Sequence, residues 1–306
     1  MSSGLQEGFN EMRRKTDSAM YVAKKTGKNG IRLWEPSASN ESQTRFELAA
    51  DLLQALENDE LSLHYQPIFN LATGRIAGME ALLRWRHPAR GFVSPAEFIP
   101  IAEENGLIVR LGEWAMFTAF TQAKKWNEDF GPLFMAVHVS GRQLSDPQFT
   151  SKAEASARCC GLARDLCELE VIKSILIGQG GAAVRIIDSL SKSGFSMSLD
   201  DLETRYSLRS YLKRFSLEKL KINRNFVADL PDNVENLAIT KTIIGLAHLL
   251  SMRVVAEGIA TQSQATMLRQ LGCQYGQGFY FSKPLPTERM AAFITENQAT
   301  TTQQMN

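Results

Sequence analysis

Apolar positions along the chain follow two alternating periods. Short apolar runs rich in β-branched and aromatic residues are typical of buried strands, and the longer segments between them have the period of amphipathic helices. Eight runs predict strands, at 61–70, 76–85, 134–140, 166–173, 195–201, 217–223, 253–259 and 275–281. Repeated crossover helices between strands favour an α/β fold, a closed (β/α)₈ TIM-like barrel, over an open sheet.

The first two predicted strands depart from that scheme. They are separated by a short turn with the sequence Ala72-Thr73-Gly74, which leaves no room for a crossover helix. Such a connection is typical of a hairpin. We therefore expect the first strand of the barrel to run antiparallel to the others.

Both ends of the chain look different from its centre. Residues 7–25 have a mixed-charge helical pattern and residues 31–34 resemble a short strand, which together cannot bury a core. We expect residues 1–40 to be the helix–strand remnant of another domain followed by a linker, and residues 41–296 to form the barrel domain. The Thr/Gln-rich residues 297–306 predict a disordered tail.

Composition argues against several classes of protein. A net charge of +1 over 306 residues provides no broad basic field for nucleic acid. No apolar run approaches the roughly 20 residues that span a bilayer, and no signal peptide is recognisable. Cys159, Cys160, Cys167 and Cys273 lack the spacing of metal ligands and suggest reduced thiols. We expect a cytoplasmic chain, either on its own or as the cytosolic part of a membrane-bound sensor.

Polar residues gather at the ends of the predicted strands. They are Glu80, His138, Lys173, Asp200, Asp201, Lys221, Asn223, Glu257 and Gln277. Active sites of barrels lie at the carboxyl ends of the strands. Carboxylates there can hold a divalent metal ion, and Arg84, four residues after Glu80, can bind a phosphate through two hydrogen bonds. The pattern indicates phosphodiester chemistry.

Seven motifs, in order, resemble the EAL-domain family. They are Tyr65-Gln66-Pro67-Ile68, Glu80-Ala81-Leu82-Leu83-Arg84-Trp85, Ser94-Pro95 through Phe98-Ile99-Pro100, Asp200-Asp201, Leu220-Lys221-Ile222, Ala256-Glu257-Gly258, and Gln277-Gly278 through Pro286. Active members of this family are metal-dependent phosphodiesterases that linearise the bacterial messenger cyclic di-GMP to pGpG. Residues 17–29 look like the last helix and turn of a GGDEF (diguanylate cyclase) domain.

The resemblance implies roles for individual residues. Lys221 and Glu257 match catalytic positions. Glu80, Asp200, Asp201 and Glu257 match positions that hold or support Mg²⁺ or Mn²⁺. Contacts with cyclic di-GMP would come from Gln66, Glu80, Leu82, Arg84, Pro95, Phe98, Asp200, Gln277 and Pro286.

Three departures from the family pattern fall on this chemistry. His138, Lys173 and Asn223 stand where the family has Asn, Glu and Asp, and the loop 202–207 lacks two family glycines. An ammonium group repels a metal ion and, while protonated, has no lone pair to offer it. The resemblance therefore implies a degenerate member with a disrupted metal site and no resident cofactor. We expect Lys173 to pair with Glu80 or Asp200 in a metal's place.

Three functions stay open from the sequence. The leading interpretation is a module in cyclic di-GMP signalling that does not cleave its ligand and acts as a receptor or binds a protein partner. The second is a weak phosphodiesterase that uses Lys221 as base and a metal site repaired through His138. The third is a protein-binding regulator without nucleotide binding. Family analogy also suggests a homodimer, whereas contact with nucleic acid or membrane is not expected of this chain.

Overall fold

The computed structural model of the protein describes residues 36–172, 180–200 and 215–305. The predicted GGDEF remnant falls almost entirely in residues 1–35, outside the described residues. Lys173, Asp201 and the altered loop 202–207 also lie outside them.

Ten strands and nine α-helices are present in these three described ranges. The strands are β1 (Leu61–Asn70), β2 (Ile76–His87), β3 (Gly91–Val93), β4 (Phe134–Val139), β5 (Cys167–Ile172), β6 (Ser196–Asp200), β7 (Lys219–Ile222), β8 (Arg253–Ala256), β9 (Tyr275–Gly276) and β10 (Leu285–Pro286). The helices are α1 (Pro36–Ala55), α2 (Pro95–Asn105), α3 (Ile108–Phe130), α4 (Phe149–Cys160), α5 (Gly180–Lys192), α6 (Arg224–Val227), α7 (Val234–Leu249), α8 (Gln262–Gln270) and α9 (Thr287–Met305). None of the described helices is long and apolar enough to cross a membrane.

Eight of the strands close into a barrel. Their order is β1-β2-β4-β5-β6-β7-β8-β9, and β9 pairs back onto β1. Strand β1 is antiparallel to both neighbours, whereas the pairs from β2–β4 to β8–β9 are parallel. The predicted barrel with an antiparallel first strand is confirmed. The short strands β3 and β10 were not predicted, because two or three residues carry no readable period.

The turn between β1 and β2 explains the reversed first strand. The side chain of Asn70 accepts hydrogen bonds from the backbone N–H groups of Ala72 and Thr73, at 3.0 and 3.1 Å. Gly74 then adopts a φ of 67°, which glycine reaches without a Cβ clash. The hairpin aligns Gln66 with Glu80 across the two strands.

A second apolar cluster lies outside the barrel, where α1 and α2 pack against the end of β2. It contains Leu48, Leu52, Trp85, Phe98 and Ile101. Phe98 is fully buried, and its ring meets that of Trp85 edge-on at 5.7 Å. The side chain of Phe98 thus anchors α2 beside the barrel, and its predicted contact with a ligand stays a prediction.

Both ends of the described chain differ from the sequence-based expectation. Helix α1 begins at Pro36, a residue suited to a first helical turn, so residues 36–42 are helical rather than a linker. Helix α9 continues to Met305, so residues 297–305 are helical rather than disordered. Asn297 accepts a hydrogen bond from the Ile76 N–H, and Gln298 donates one to the Phe130 carbonyl, which ties this part of α9 to the barrel.

The barrel interior contains an ion pair that the sequence analysis did not predict, nearer the amino ends of strands β5 and β7. Lys219 of β7 contacts the carboxylate of Glu168 of β5, and both side chains are almost completely buried. The Lys219 ammonium also lies 3.3 Å from the centre of the Phe134 ring. Because side chains alternate along a strand, Glu168 and Glu170 share the inward face of β5, and Lys219 and Lys221 share that of β7.

Removal of one partner from this pair should destabilise the protein strongly. The variant Glu168→Leu leaves a buried ammonium without a counterion, and we expect a loss of about 3–5 kcal/mol in the free energy of unfolding. Urea denaturation measures this loss in the free energy of unfolding. The matched variant Lys124→Ala, which breaks the exposed Lys124–Glu128 pair, should cost about 0.5 kcal/mol or less. Equal losses in the two variants would contradict this account.

Candidate functional site

Charged and amide side chains from seven strands meet at the carboxyl ends of the barrel. Those within or just after a strand are Glu80, His138, Glu170, Asp200, Lys221, Glu257 and Gln277. The register places His138 of β4 beside Glu170 of β5. Of the polar residues predicted at strand ends, Glu80, His138, Asp200, Lys221, Glu257 and Gln277 are therefore brought to one face, whereas Lys173 and Asp201 lie outside the described residues.

The ammonium group of Lys221 lies at the centre of this cluster. Its Nζ is 2.8 Å from Glu257 Oε1, 2.9 Å from Glu170 Oε2 and 3.4 Å from Glu80 Oε1, and the side chain is fully buried. Burial alone would lower the pKa of Lys221, but these carboxylates outweigh it and hold the pKa well above its ordinary value. A lysine that stays protonated has no lone pair, so the structure does not support its use as a general base.

His138 contacts the same carboxylates from the side of β4. Its Nε2 is 2.6 Å from Glu80 Oε1 and 3.4 Å from Glu170 Oε2, and its Nδ1 is 3.9 Å from Asp200 Oδ2. Burial lowers the pKa of His138, but Glu170 and Glu80 raise it more, to about 9. The neighbouring carboxylates therefore favour the protonated, cationic form of the imidazole.

Glu80 is held on two sides. Its Oε1 faces His138 and Lys221, and its Oε2 accepts a hydrogen bond from Gln277 Nε2. Burial favours the protonated form, but Lys221 and His138 outweigh it and hold the pKa of Glu80 well below its usual range. Gln277 also donates to Gln66 Oε1 at 2.9 Å, so the amides of β1 and of the segment after β9 fix the carboxylate in place.

Glu170 is the site residue that the sequence analysis missed. The family pattern directed attention to Lys173, but β5 ends at Ile172 and the inward carboxylate near its end belongs to Glu170. Burial raises the pKa of Glu170 to about 8 against the opposing effect of Lys221. The period of two that joins Glu168 to Glu170 was the available signal.

The predicted pairing of Lys173 with Glu80 or Asp200 falls outside the described residues and stays a prediction. Within the described part of the site, Glu80 pairs with His138 and Lys221, and Asp200 Oδ2 lies 3.9 Å from His138 Nδ1. Charge compensation of Glu80 therefore does not require Lys173.

Asn223, the third departure from the family pattern, follows β7 directly. Its side chain accepts a hydrogen bond from the Asn225 N–H at 2.9 Å and caps helix α6. An asparagine is among the favoured residues for this position. The structure thus assigns Asn223 a local role in starting α6.

A cavity of about 420 Å³ opens beside the cluster. Predicted ligand contacts that line it are Leu82, Arg84 and Pro95, and His138 and Glu170 connect it to the carboxylates. Most of the remaining wall is apolar and comes from β2, β4, α2 and α3. Pro286 lies elsewhere, on β10, where it pairs with His64 of β1. Arg84 therefore forms part of the wall of an apolar cavity next to the carboxylate cluster.

A model of the EAL domain family matches residues 49–284. The chain belongs to this family. It is 36% identical over 285 residues to the bifunctional diguanylate cyclase/cyclic di-GMP phosphodiesterase MucR of Pseudomonas aeruginosa, a match that covers 93% of this chain and 42% of that protein. It is 35% identical to the signaling protein YkoW of Bacillus subtilis, with 94% of this chain and 36% of YkoW covered. The chain spans about two fifths or less of the length of these relatives.

Solved structures of EAL proteins superpose on the barrel. A MucR phosphodiesterase in complex with c-di-GMP has a TM-score of 0.76 at 37% identity, over 80% of this chain and 99% of that one. The EAL enzyme Bd1971, in a form with cAMP and cyclic-di-GMP bound, has a TM-score of 0.78 at 32% identity, over 83% of this chain and 69% of that one.

The protonation of His138 can be measured directly. In protein treated with a chelator, we expect NMR titration to give His138 a pKa of about 9, because Glu80 and Glu170 stabilise the imidazolium. His64 serves as the internal control, since burial lowers its pKa below the ordinary value of 6.5. The variant His138→Asn identifies the signal. A His138 pKa at or below 6.5 would contradict the described geometry.

Proposed function

We propose that this EAL domain binds cyclic di-GMP at the mouth of its barrel and does not cleave it efficiently. The observation that supports the loss of cleavage is the position of His138, within hydrogen-bond distance of Glu80 and close to Glu170. Relatives that are named as cyclic di-GMP phosphodiesterases support the choice of ligand. In this proposal the bound nucleotide is a signal that a protein partner reads.

The cavity beside the cluster suits one half of such a dinucleotide. Arg84 has the planar donor geometry that pairs with a phosphodiester, and this pairing needs no metal ion. Leu82 and Pro95 supply apolar surface for a base. Gln66 and Gln277 add amide groups beside Glu80. Binding can therefore persist when cleavage is lost.

The residues present do not fit the pair of Mg²⁺ ions that the family resemblance implies. Mg²⁺ prefers oxygen ligands, and two-metal hydrolysis needs both ions close together on one phosphate. Here the carboxylates of Glu80 and Glu170 already contact both Lys221 and His138. A protonated imidazole repels an incoming cation, and a neutral one offers nitrogen, a ligand that Mg²⁺ disfavours.

A weak phosphodiesterase is the second candidate. One observation favours it: ligand atoms of Glu80, His138 and Glu170 all lie within 4.8 Å of one another, close enough for a single metal ion after small movements. With Mn²⁺ at such a site, slow cleavage would leave linear product. Chromatography of the nucleotide after incubation separates this candidate from the receptor.

Calorimetric titration with cyclic di-GMP, in the presence of a chelator, tests the proposal. We expect saturable binding and recovery of the intact nucleotide. The variant Arg84→Ala should weaken binding at least tenfold, because a hydrogen bond to a charged group contributes about 1.5–3 kcal/mol. The matched variant Arg90→Ala, which breaks the surface pair with Glu47, should bind as tightly as the unmodified protein.

Two results would overturn the proposal. Rapid formation of linear dinucleotide with Mg²⁺ or Mn²⁺ would establish a phosphodiesterase. Absence of binding under all these conditions would leave a regulator that acts through proteins alone.

A further inference from the structure

We propose that the outer side of helix α1 is a docking surface for residues 5–25 of the same chain, which pack along it as an antiparallel helix. This surface, the α1 face, consists of Phe46, Ala50 and Leu53. The contact lies within one molecule and does not depend on nucleotide binding.

Helix α1 buries one side and presents apolar residues on the other. Leu48 and Leu52 are 0% and 1% exposed and pack in the second apolar cluster, whereas Phe46 and Leu53 are 74% and 46% exposed. Seven residues make nearly two helical turns, so Phe46 and Leu53 lie on the same side, with Ala50 between them. Rotation of α1 to bury this side would expose the leucines of the core. Large apolar side chains that share one exposed face indicate a contact surface.

The sequence before α1 provides a matching apolar stripe. Leu5, Phe9, Met12, Ala19 and Ala23 follow one another at intervals of three, four or seven residues. This spacing predicts an amphipathic helix with these residues along one side. A single helix cannot bury such a stripe by itself, so it needs an apolar surface on another element.

The place of this segment in the chain favours α1 as its partner. Residues 26–35 join it to α1 and contain two glycines, which favour a reversal of direction. With Lys25 level with the start of α1, a helical rise of 1.5 Å per residue places Phe9 about 24 Å along α1. Leu53 lies about 26 Å along α1 by the same rise. The bulkiest residue of the stripe therefore comes level with the α1 face.

The charges of the two elements have opposite signs. Residues 5–25 contain five basic and three acidic side chains, whereas α1 contains three acidic and one basic. Opposite charges favour this pairing of elements. A second copy of the α1 face would instead bring two acidic helices together, which disfavours a dimer through this surface.

Hydrogen exchange of the full chain, measured by mass spectrometry, tests the contact. We expect the amides of residues 7–25 to exchange at least tenfold more slowly than in a synthetic peptide of residues 5–25, at every protein concentration. The variants Leu53→Ser and Phe9→Ser should each speed this exchange at least tenfold. The matched variant Leu249→Ser changes an 84% exposed leucine on α7 and should leave the exchange unchanged.

Three results would overturn the proposal. Exchange as fast as in the free peptide would show that the segment does not dock. Protection that survives both serine variants would place the segment on another surface. Protection that appears only at concentrations where sedimentation detects a dimer would assign the α1 face to a second copy. Because these experiments contain no cyclic di-GMP, their failure is distinct from a failure of nucleotide binding.

Discussion

A fully buried ammonium group determines the electrostatics of the barrel mouth. Lys221 contacts carboxylates from β2, β5 and the end of β8, so removal of its charge would leave three acidic side chains facing one another. Desolvation of such charges is offset only when counterions and hydrogen bonds surround them. Lys221 thus makes the acidic cluster compatible with folding, and it limits the space left for metal ions.

His138 changes what this cluster can do. An asparagine at this position would leave the carboxylates of Glu80 and Glu170 available as oxygen ligands. The imidazole instead bonds to Glu80 and adds a positive charge or, when neutral, a nitrogen donor. Either state disfavours a pair of hard ions. The same substitution thus explains the expected loss of cleavage.

Much of this architecture could be predicted from the sequence. Strand β1 was predicted with its observed bounds, and the short turn Ala72-Thr73-Gly74 indicated its antiparallel direction, because such a turn leaves no room for a crossover helix. Glu80, Lys221 and Gln277 were also placed at one face, since strand ends converge in a barrel.

Other features of the site and the fold could not be predicted from the local sequence. Glu170 was missed because the family motif has its carboxylate at position 173. The inward-facing side chains of β5 were therefore not considered as site residues. The burial of Phe98 could not be predicted, because it depends on the packing of α1 and α2 against Trp85. Asn223 looked like a lost metal ligand, and its cap on α6 appears only in the folded chain.

The most direct test of the account is cleavage by a repaired chain. Cyclic di-GMP would be incubated with Mg²⁺ or Mn²⁺ and the unmodified protein, or with the triple variant His138→Asn, Lys173→Glu and Asn223→Asp, and the products separated by chromatography. The account predicts intact nucleotide with the unmodified protein and linear product with the triple variant. Cleavage by the unmodified protein at a rate equal to that of the triple variant would contradict it.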